Sequence, residues 1–406
     1  MAIRLAKRMS ALNASEIREL LKLTQKPGVI SFAGGLPAAE LFPVHELASV
    51  AVQILRDEGM QALQYSTTEG CPLLREAIAE RMNAKRHTRV TADELLITSG
   101  SQQGLDLTGK LFIDRGDTLL CESPTYLGAI NAFKAYGPEL VEVSTDDDGI
   151  VLAALERRLE QCDRVKLIYV VPDFQNPSGI TLGLKRRHQL IELAEKYDLI
   201  IIEDSPYRQL RFEGDAPPPL ISLNSDRILS IYSFSKILLP GFRLGWMAGP
   251  NELIQKMITA KQAVDLCAPP FNQAILAEFM RRGYLEQQIK KIITAYKEKR
   301  DFMLLQLKSQ MGDIPGLSWT EPEGGLFLWV TLPEGMDSRE LFMDAVEQNV
   351  AYVMGSSFDP DGMDKRNMRL NFSFASIDEI GTGIQRLAEV IRNRLTRKVV
   401  DAPVAP

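Results

Sequence analysis

The segment Ser233-Phe234-Ser235-Lys236, followed by Pro240-Gly241-Phe242-Arg243, gathers a lysine, two serines and an arginine in one short stretch. A lysine that attacks an aldehyde must be held in place and be partly deprotonated. Serine hydroxyls beside the forked donors of an arginine suit a phosphate. The plain alternative is a pair of helix-capping serines next to a surface lysine. Four other short motifs are spread along the chain. Gly100-Ser101-Gln102-Gln103 offers the free backbone N–H groups of a helix start to an anion. Glu122-Ser123-Pro124-Thr125-Tyr126 supplies an aromatic ring that would either stack on a flat ligand or pack in the core. Asn176-Pro177-Ser178-Gly179 is a turn sequence. Glu203-Asp204-Ser205-Pro206-Tyr207 ends an apolar run with a carboxylate able to balance a cationic ring nitrogen, or to cap a helix, and with a tyrosine able to donate to a phenolate.

These motifs need strands to end beside one another. From about 91 to about 249, short β-branched runs alternate with amphipathic stretches. Strands are predicted at 95–98, 118–121, 167–171, 199–202, 228–232 and 244–247, and helices at 151–161 and 184–197. Several of the runs are continuously apolar, which suits strands covered by helices on both faces. The rhythm predicts a large α/β domain with a mainly parallel sheet. Its loops would present side chains at the carboxyl edge of the strands. After Pro250 the pattern changes to long charged helices, at 251–263 and 284–311, and strand-like pieces at 326–330 and 368–372. This is the pattern of a smaller α+β domain. The expected division is an N-terminal arm and substrate-side segment over 1–40 that joins the small domain, a large domain over 41–285, a small domain over 286–398, and a disordered tail over 399–406.

Composition removes several function classes. The chain has 406 residues, is 45% hydrophobic and 25% charged, and carries a net charge of -6. An acidic chain gives no reason to expect nucleic acid or an anionic membrane as partner. No apolar run approaches the roughly 18 residues of a membrane span. Cys71, Cys121, Cys162 and Cys267 are dispersed, as are His45, His87 and His188, so neither disulfides nor a metal is expected. Arg4, Lys7 and Arg8 near the start suggest an arm rather than a secretory signal, and a cytoplasmic protein.

Taken in order, the five motifs resemble the fold type I, class I/II aminotransferases over about 15–391. The stretches Ile17-Arg18-Glu19-Leu20, Ser31-Phe32-Ala33-Gly34-Gly35-Leu36-Pro37 and Gln64-Tyr65-Ser66 look like the branch of 2-aminoadipate, kynurenine and aromatic aminotransferases. The resemblance implies pyridoxal 5'-phosphate, held by Lys236 as a Schiff base, and a homodimer with shared sites. Lys236 would move the proton between the substrate α-carbon and the cofactor. Asp204 would pair with the ring nitrogen, Asn176 and Tyr207 would bond the 3-oxygen, and Tyr126 would stack on the ring. Ser101, Gln102, Ser233, Ser235 and Arg243 would hold the phosphate, with Tyr65 reaching over from the neighbouring subunit. On the substrate side, Arg369 would clamp the α-carboxylate, Gly35 would leave room for close approach, and Asn176 and Tyr65 would border the substrate. Arg18 would meet a distal carboxylate, unless it is an exposed helix charge paired with Glu19. One departure is Met354, where relatives commonly have proline before Gly355-Ser356-Ser357-Phe358.

The implied reaction is a ping-pong transamination. An L-amino acid leaves as a 2-oxo acid, pyridoxamine phosphate (PMP) forms, and a second 2-oxo acid, 2-oxoglutarate first among candidates, reverses the path. Aminoadipate, aromatic, kynurenine-like and branched-chain donors all fit. The competing readings are a lyase or synthase on the same scaffold, and a non-catalytic cofactor-binding regulator. The acidic charge and the shortness of the segment ahead of the first motif argue against the regulator.

Overall fold

Each apolar run becomes a strand, and the strands lie side by side because their apolar side chains find helices above and below. The computed structural model describes residues 6, 8–9, 28–86, 88–224 and 226–401. Strand β1 (Ile30–Ser31) leads to helices α1 (Val44–Ala62) and α2 (Pro72–Arg86). Then follow β2 (Leu95–Thr98), α3 (Ser101–Phe112), β3 (Thr118–Ser123), α4 (Leu127–Lys134), β4 (Glu139–Asp146), β5 (Gly149–Ile150) and α5 (Leu152–Gln161). The alternation continues through β6 (Val165–Val170), α6 (Leu184–Lys196), β7 (Ile200–Asp204), α7 (Leu220–Leu223), β8 (Ile228–Ser233) and β9 (Gly245–Ala248).

These strands form one eight-stranded sheet in the order β2-β9-β8-β7-β6-β3-β4-β5. The central strands β8, β7, β6, β3 and β4 are parallel, and β9 runs against its two neighbours. The sheet is α/β and mainly parallel, with all six sequence-predicted strands in it. Strand β4, which lies between β3 and the two-residue edge strand β5, was not expected, because Glu139, Glu142 and Ser144 interrupt its apolar residues. Alternate residues along each central strand enter different cores. Leu119, Leu167, Tyr169, Ile202 and Ile231 join Leu105 of α3 and Phe133 of α4 in one cluster. Leu120, Ile168, Val170 and Ile201 face the opposite side. Burying one such aliphatic side chain contributes about 1.5–3 kcal/mol.

Helices α8 (Asn251–Gln262), α9 (Pro270–Arg281) and the 28-residue α10 (Tyr284–Met311) lead away from the sheet. Then come β10 (Ser318–Trp319), β11 (Phe327–Thr331), α11 (Ser338–Glu347), β12 (Val350–Ala351), β13 (Val353–Met354), β14 (Asn367–Asn371) and α12 (Ile377–Asp401). Strands β10, β11, β14 and β13 make an antiparallel sheet in that order. Met354, the departure noted above, pairs with Met368 in it. Residues 30–38 form a strap across this smaller unit. β1 pairs in parallel with β12, Phe32 O accepts from Asn371 N at 2.9 Å, and Ala38 N donates to Tyr296 Oη at 2.9 Å. At the C-terminus, α12 continues through 401, so the first residues of the expected tail are helical and the remainder lies outside the described residues. Among the described residues no helix is long and apolar enough to cross a membrane.

Candidate active site

The carboxyl ends of β3, β6, β7 and β8 open on one cavity of ≈ 310 Å³, at the low end of the usual range of about 300–1,000 Å³ for small-molecule sites. Gly35, Ser101, Tyr126, Asn176, Asp204, Tyr207, Ser233, Lys236 and Arg369 all line it. Residues spread over more than three hundred positions of sequence are thereby brought together.

Lys236 lies three residues past the end of β8. Phe234, two residues before it, is buried against Trp246, ring centroids 4.6 Å apart, and Leu238 N bonds back to Phe234 O. The turn is therefore fixed by packing, and the lysine between these anchors points into the cavity. Lys236 Nζ donates to Gly35 O of the strap at 2.7 Å. Burial, aided by the positive charges of Arg369 and Arg243, pushes the amine down to about 8.

Asp204 closes β7 and is buried. Its Oδ2 accepts from Tyr169 Oη at 2.7 Å, and its Oδ1 is buried without a partner. Loss of solvent pushes this carboxyl up to about 7. An orphaned carboxylate oxygen lining a cavity is costly unless a cationic or N–H donor enters.

Arg369 lies on β14, buried between two aromatic faces. Its guanidinium carbon sits 4.1 Å from the Phe327 ring centroid and 4.8 Å from that of Phe358. Nη1 donates to Asn176 Oδ1 at 2.7 Å and Nη2 to Ala33 O at 2.7 Å, while Nε is buried without a partner. Burial lowers the guanidinium to about 10, so it stays charged at neutral pH. Asn176 Nδ2 donates in turn to Tyr207 Oη at 3.3 Å, and the Tyr207 ring packs edge-on to Phe327.

The loops carrying Asn176 and Tyr207 share one anchor. The Asp173 carboxylate accepts from Arg187 Nη2 at 2.9 Å and from Arg208 Nη1, all three being buried. Burial opposes its charge, but Arg208 and Arg187 hold the carboxyl below its ordinary value. Removing one member of such a buried set strands the others.

The anion corner forms where α3 begins. Gly100 has φ 81°, and a Cβ there would fall 2.6 Å from Arg243 Nη2, so only glycine fits. The first backbone N–H groups of α3 have no helical acceptor, and the arginine fork lies beside them. Arg243 does not itself line the cavity. Ser235 does not line it either, and its N–H donates to Ser233 Oγ at 3.1 Å. The Gln102 side chain turns outward and donates to Gly128 O at 2.8 Å. Tyr126 lies over Gly128, where a Cβ would fall 2.4 Å from its ring. Tyr65 is away from the cavity and 79% exposed. Arg18 lies outside the described residues.

Sequence reasoning missed Tyr169, Phe327, Phe358 and Asn131. The signal for Tyr169 was available: a hydroxyl within the aliphatic run Leu167-Ile168-Tyr169-Val170 needs a buried acceptor. Leu36, Leu127 and Phe327 give the substrate side an apolar lining, and Asn131 adds one amide. Among the described residues, the cationic side chains lining the cavity are Lys236 and Arg369.

The arrangement suits a flat, phosphate-bearing aldehyde with a basic ring nitrogen, beside a substrate carboxylate. The profile of the family described as aminotransferase class I and II matches residues 27–387. The aromatic-amino-acid aminotransferase 1 of Thermococcus litoralis is 46% identical over 391 residues, covering 95% of this chain and 93% of its own. The 2-aminoadipate transaminase of Thermus thermophilus is 40% identical over 388 residues, covering 95% of each. The crystal structure of the Pyrococcus horikoshii kynurenine aminotransferase in complex with PMP superposes with a TM-score of 0.92 at 42% identity, over 96% of this chain and 97% of that one.

Proposed function

The chain belongs to the class I and II aminotransferases, and on that premise we propose that it moves the amino group of an aromatic or kynurenine-like L-amino acid to a 2-oxo acid, 2-oxoglutarate first among them. Pyridoxal 5'-phosphate is the enzyme's cofactor. The cavity fits it on three counts: an unpartnered Asp204 Oδ1, an anion corner at Gly100 and Ser101, and a lysine amine lowered to about 8. When bound, the cofactor supplies an electron sink for the bonds at the substrate's α-carbon.

The protein's own groups divide the rest of the work. Asp204 would balance the ring nitrogen, Tyr126 would stack on the ring, and Asn176 and Tyr207 would bond the 3-oxygen. Ser101, Ser233 and Arg243 hold the phosphate, together with the backbone at Gln102. Arg369 takes the α-carboxylate as a fork, already aligned by Asn176 and Ala33. Lys236 Nζ, its lowered proton affinity leaving part of it neutral just above neutral pH, would take the α-proton and pass it to the cofactor. Leu36, Leu127 and Phe327 exclude water from the substrate side chain, which favours an aromatic donor.

A second copy of the chain completes each site in this reading. Tyr65, Met60, Leu63 and Leu73 are exposed apolar side chains between the end of α1 and the start of α2, and Tyr65 and Leu73 line one cavity there. Apolar side chains gathered round one exposed cavity suit a surface that another molecule covers.

The observation that carries the proposal is the convergence of Lys236, Asp204 and Arg369 on one cavity. Its test is spectroscopic. Wild-type protein should show a visible band from lysine-bound cofactor, and aromatic amino acids should convert it fully to the PMP spectrum. Lys236→Ala should lack that band and lose about 10²–10⁴-fold in turnover. A variant that keeps the band, or a wild-type band that no amino acid converts, would sink the assignment.

A further inference from the structure

Tyr169 lies within β6, where Leu167, Ile168 and Val170 are aliphatic and Ile202 of β7 is its partner in register. The residue is fully buried. Its ring is fixed edge-on to Phe133 of α4, centroids 5.7 Å apart at 70°. The hydroxyl has one acceptor in reach, Asp204 Oδ2 at 2.7 Å, and Asp204 Oδ1 is left buried and unpartnered. A carboxylate at a strand end can rotate, and this single bond selects which of its oxygens is free to face the cavity.

We propose that Tyr169 is a positioning residue, which ties down Asp204 Oδ2 so that Oδ1 is aimed at the cofactor's ring nitrogen and the carboxylate is kept charged. The proposal rests on the role given to Asp204 above. A tyrosine that only filled space would need no hydroxyl, and phenylalanine would pack against Phe133 equally well.

The electrostatics agree with the geometry. Burial drives Asp204 towards its neutral form, and the Tyr169 hydrogen bond is what opposes it. The other titratable groups that feel this carboxylate are the buried hydroxyls of Tyr126, from the start of α4, and Tyr207, from the loop after β7. Neither donates to it. Without the Tyr169 hydroxyl, Asp204 would bind its proton more tightly, and a neutral carboxyl cannot balance a cationic ring.

The test measures the affinity of cofactor-free protein for pyridoxal 5'-phosphate, by absorbance titration from about pH 6 to about pH 9. Tyr169→Phe is expected to weaken binding about tenfold near pH 7.5, with the loss shrinking towards pH 9 as the carboxyl ionises unaided. In an Asp204→Asn background the same substitution should change affinity less than about twofold, because the two residues act through one bond. 3-Fluorotyrosine at position 169, a stronger donor of nearly the same shape, should move the midpoint of the affinity curve to lower pH. That replacement keeps the test alive if Tyr169→Phe folds poorly. Wild-type-like binding by Tyr169→Phe, a penalty independent of pH, or an equal penalty in the Asp204→Asn background would each overturn the proposal. Wild-type protein that takes up no cofactor would overturn the proposed function and this proposal together.

Discussion

Arg369 Nη1 donates to Asn176 Oδ1 at 2.7 Å, so the cation that would meet the substrate carboxylate is fastened to the amide that would meet the cofactor ring. Two residues 193 positions apart share one hydrogen bond, and Asn176 passes it on to Tyr207 through its other amide atom. Asn176→Ala should therefore weaken cofactor affinity and raise KM for amino acids and oxo acids alike, each by about tenfold, since a hydrogen bond to a charged group contributes about 1.5–3 kcal/mol. Paired cofactor titrations and steady-state kinetics check this. An effect on only one of the two ligands would mean that the amide does not couple them.

The high proton affinity of Asp204 gives a pH signature in the cofactor-free protein. Its folded-state carboxyl sits at about 7 against an ordinary value of 3.8, because burial penalises the charge. The folded form then holds the proton more tightly than the unfolded one. Its stability from this group is greatest at low pH and falls as pH rises through that window, by about 1.4 kcal/mol for each unit. Asp204→Asn cannot titrate. Without cofactor it should gain in melting temperature over wild type between about pH 5 and about pH 8. With cofactor it should lose, because the ring cation is left without its partner. Calorimetry on both forms decides; a difference from wild type that ignores pH would refute the account.

On the proposed function, Arg18 would divide the donor classes. The described part of the cavity offers no cation beyond Lys236 and Arg369, so a distal carboxylate depends on Arg18 or on solvent. Arg18→Ala should raise KM for 2-aminoadipate and 2-oxoglutarate by about tenfold or more and leave aromatic donors within about twofold. Half-reaction kinetics read each class separately. Unchanged preferences would return Arg18 to the helix surface.

Shared sites have a direct test in hybrids. Neither Tyr65→Ala nor Lys236→Ala homodimers should turn over well. Unfolding and refolding the two together should restore about a quarter of wild-type activity, because half the dimers are mixed and each holds one intact site. Mixtures no more active than their parents would confine Tyr65 to its own chain.

Much of this was readable in the sequence because the chemistry sits on loops after strands. There, short runs such as Glu203-Asp204-Ser205-Pro206-Tyr207 keep their meaning without knowledge of the fold. The six predicted strands of the large sheet were readable for the same local reason, their largely apolar character. What escaped depends on distance. Tyr169 looked like one more core residue until β7 brought Asp204 beside it. Phe327 and Phe358, which sandwich Arg369, come from a strand and a loop that only the small antiparallel sheet unites. Gln102 has the right position and a side chain that turns away, a rotamer that no motif encodes.

The strap touches the chemistry through its main chain alone: Ala33 O receives Arg369, and Gly35 O receives Lys236. Carbonyl oxygens are supplied by every amino acid. Mutation can therefore redraw the strap's side chains, Leu36 among them, and so change which substrates are admitted, without disarming the lysine or the arginine. Selectivity and reactivity are written in different parts of the same polypeptide, and this enzyme could drift between amino acids while its reaction stays the same.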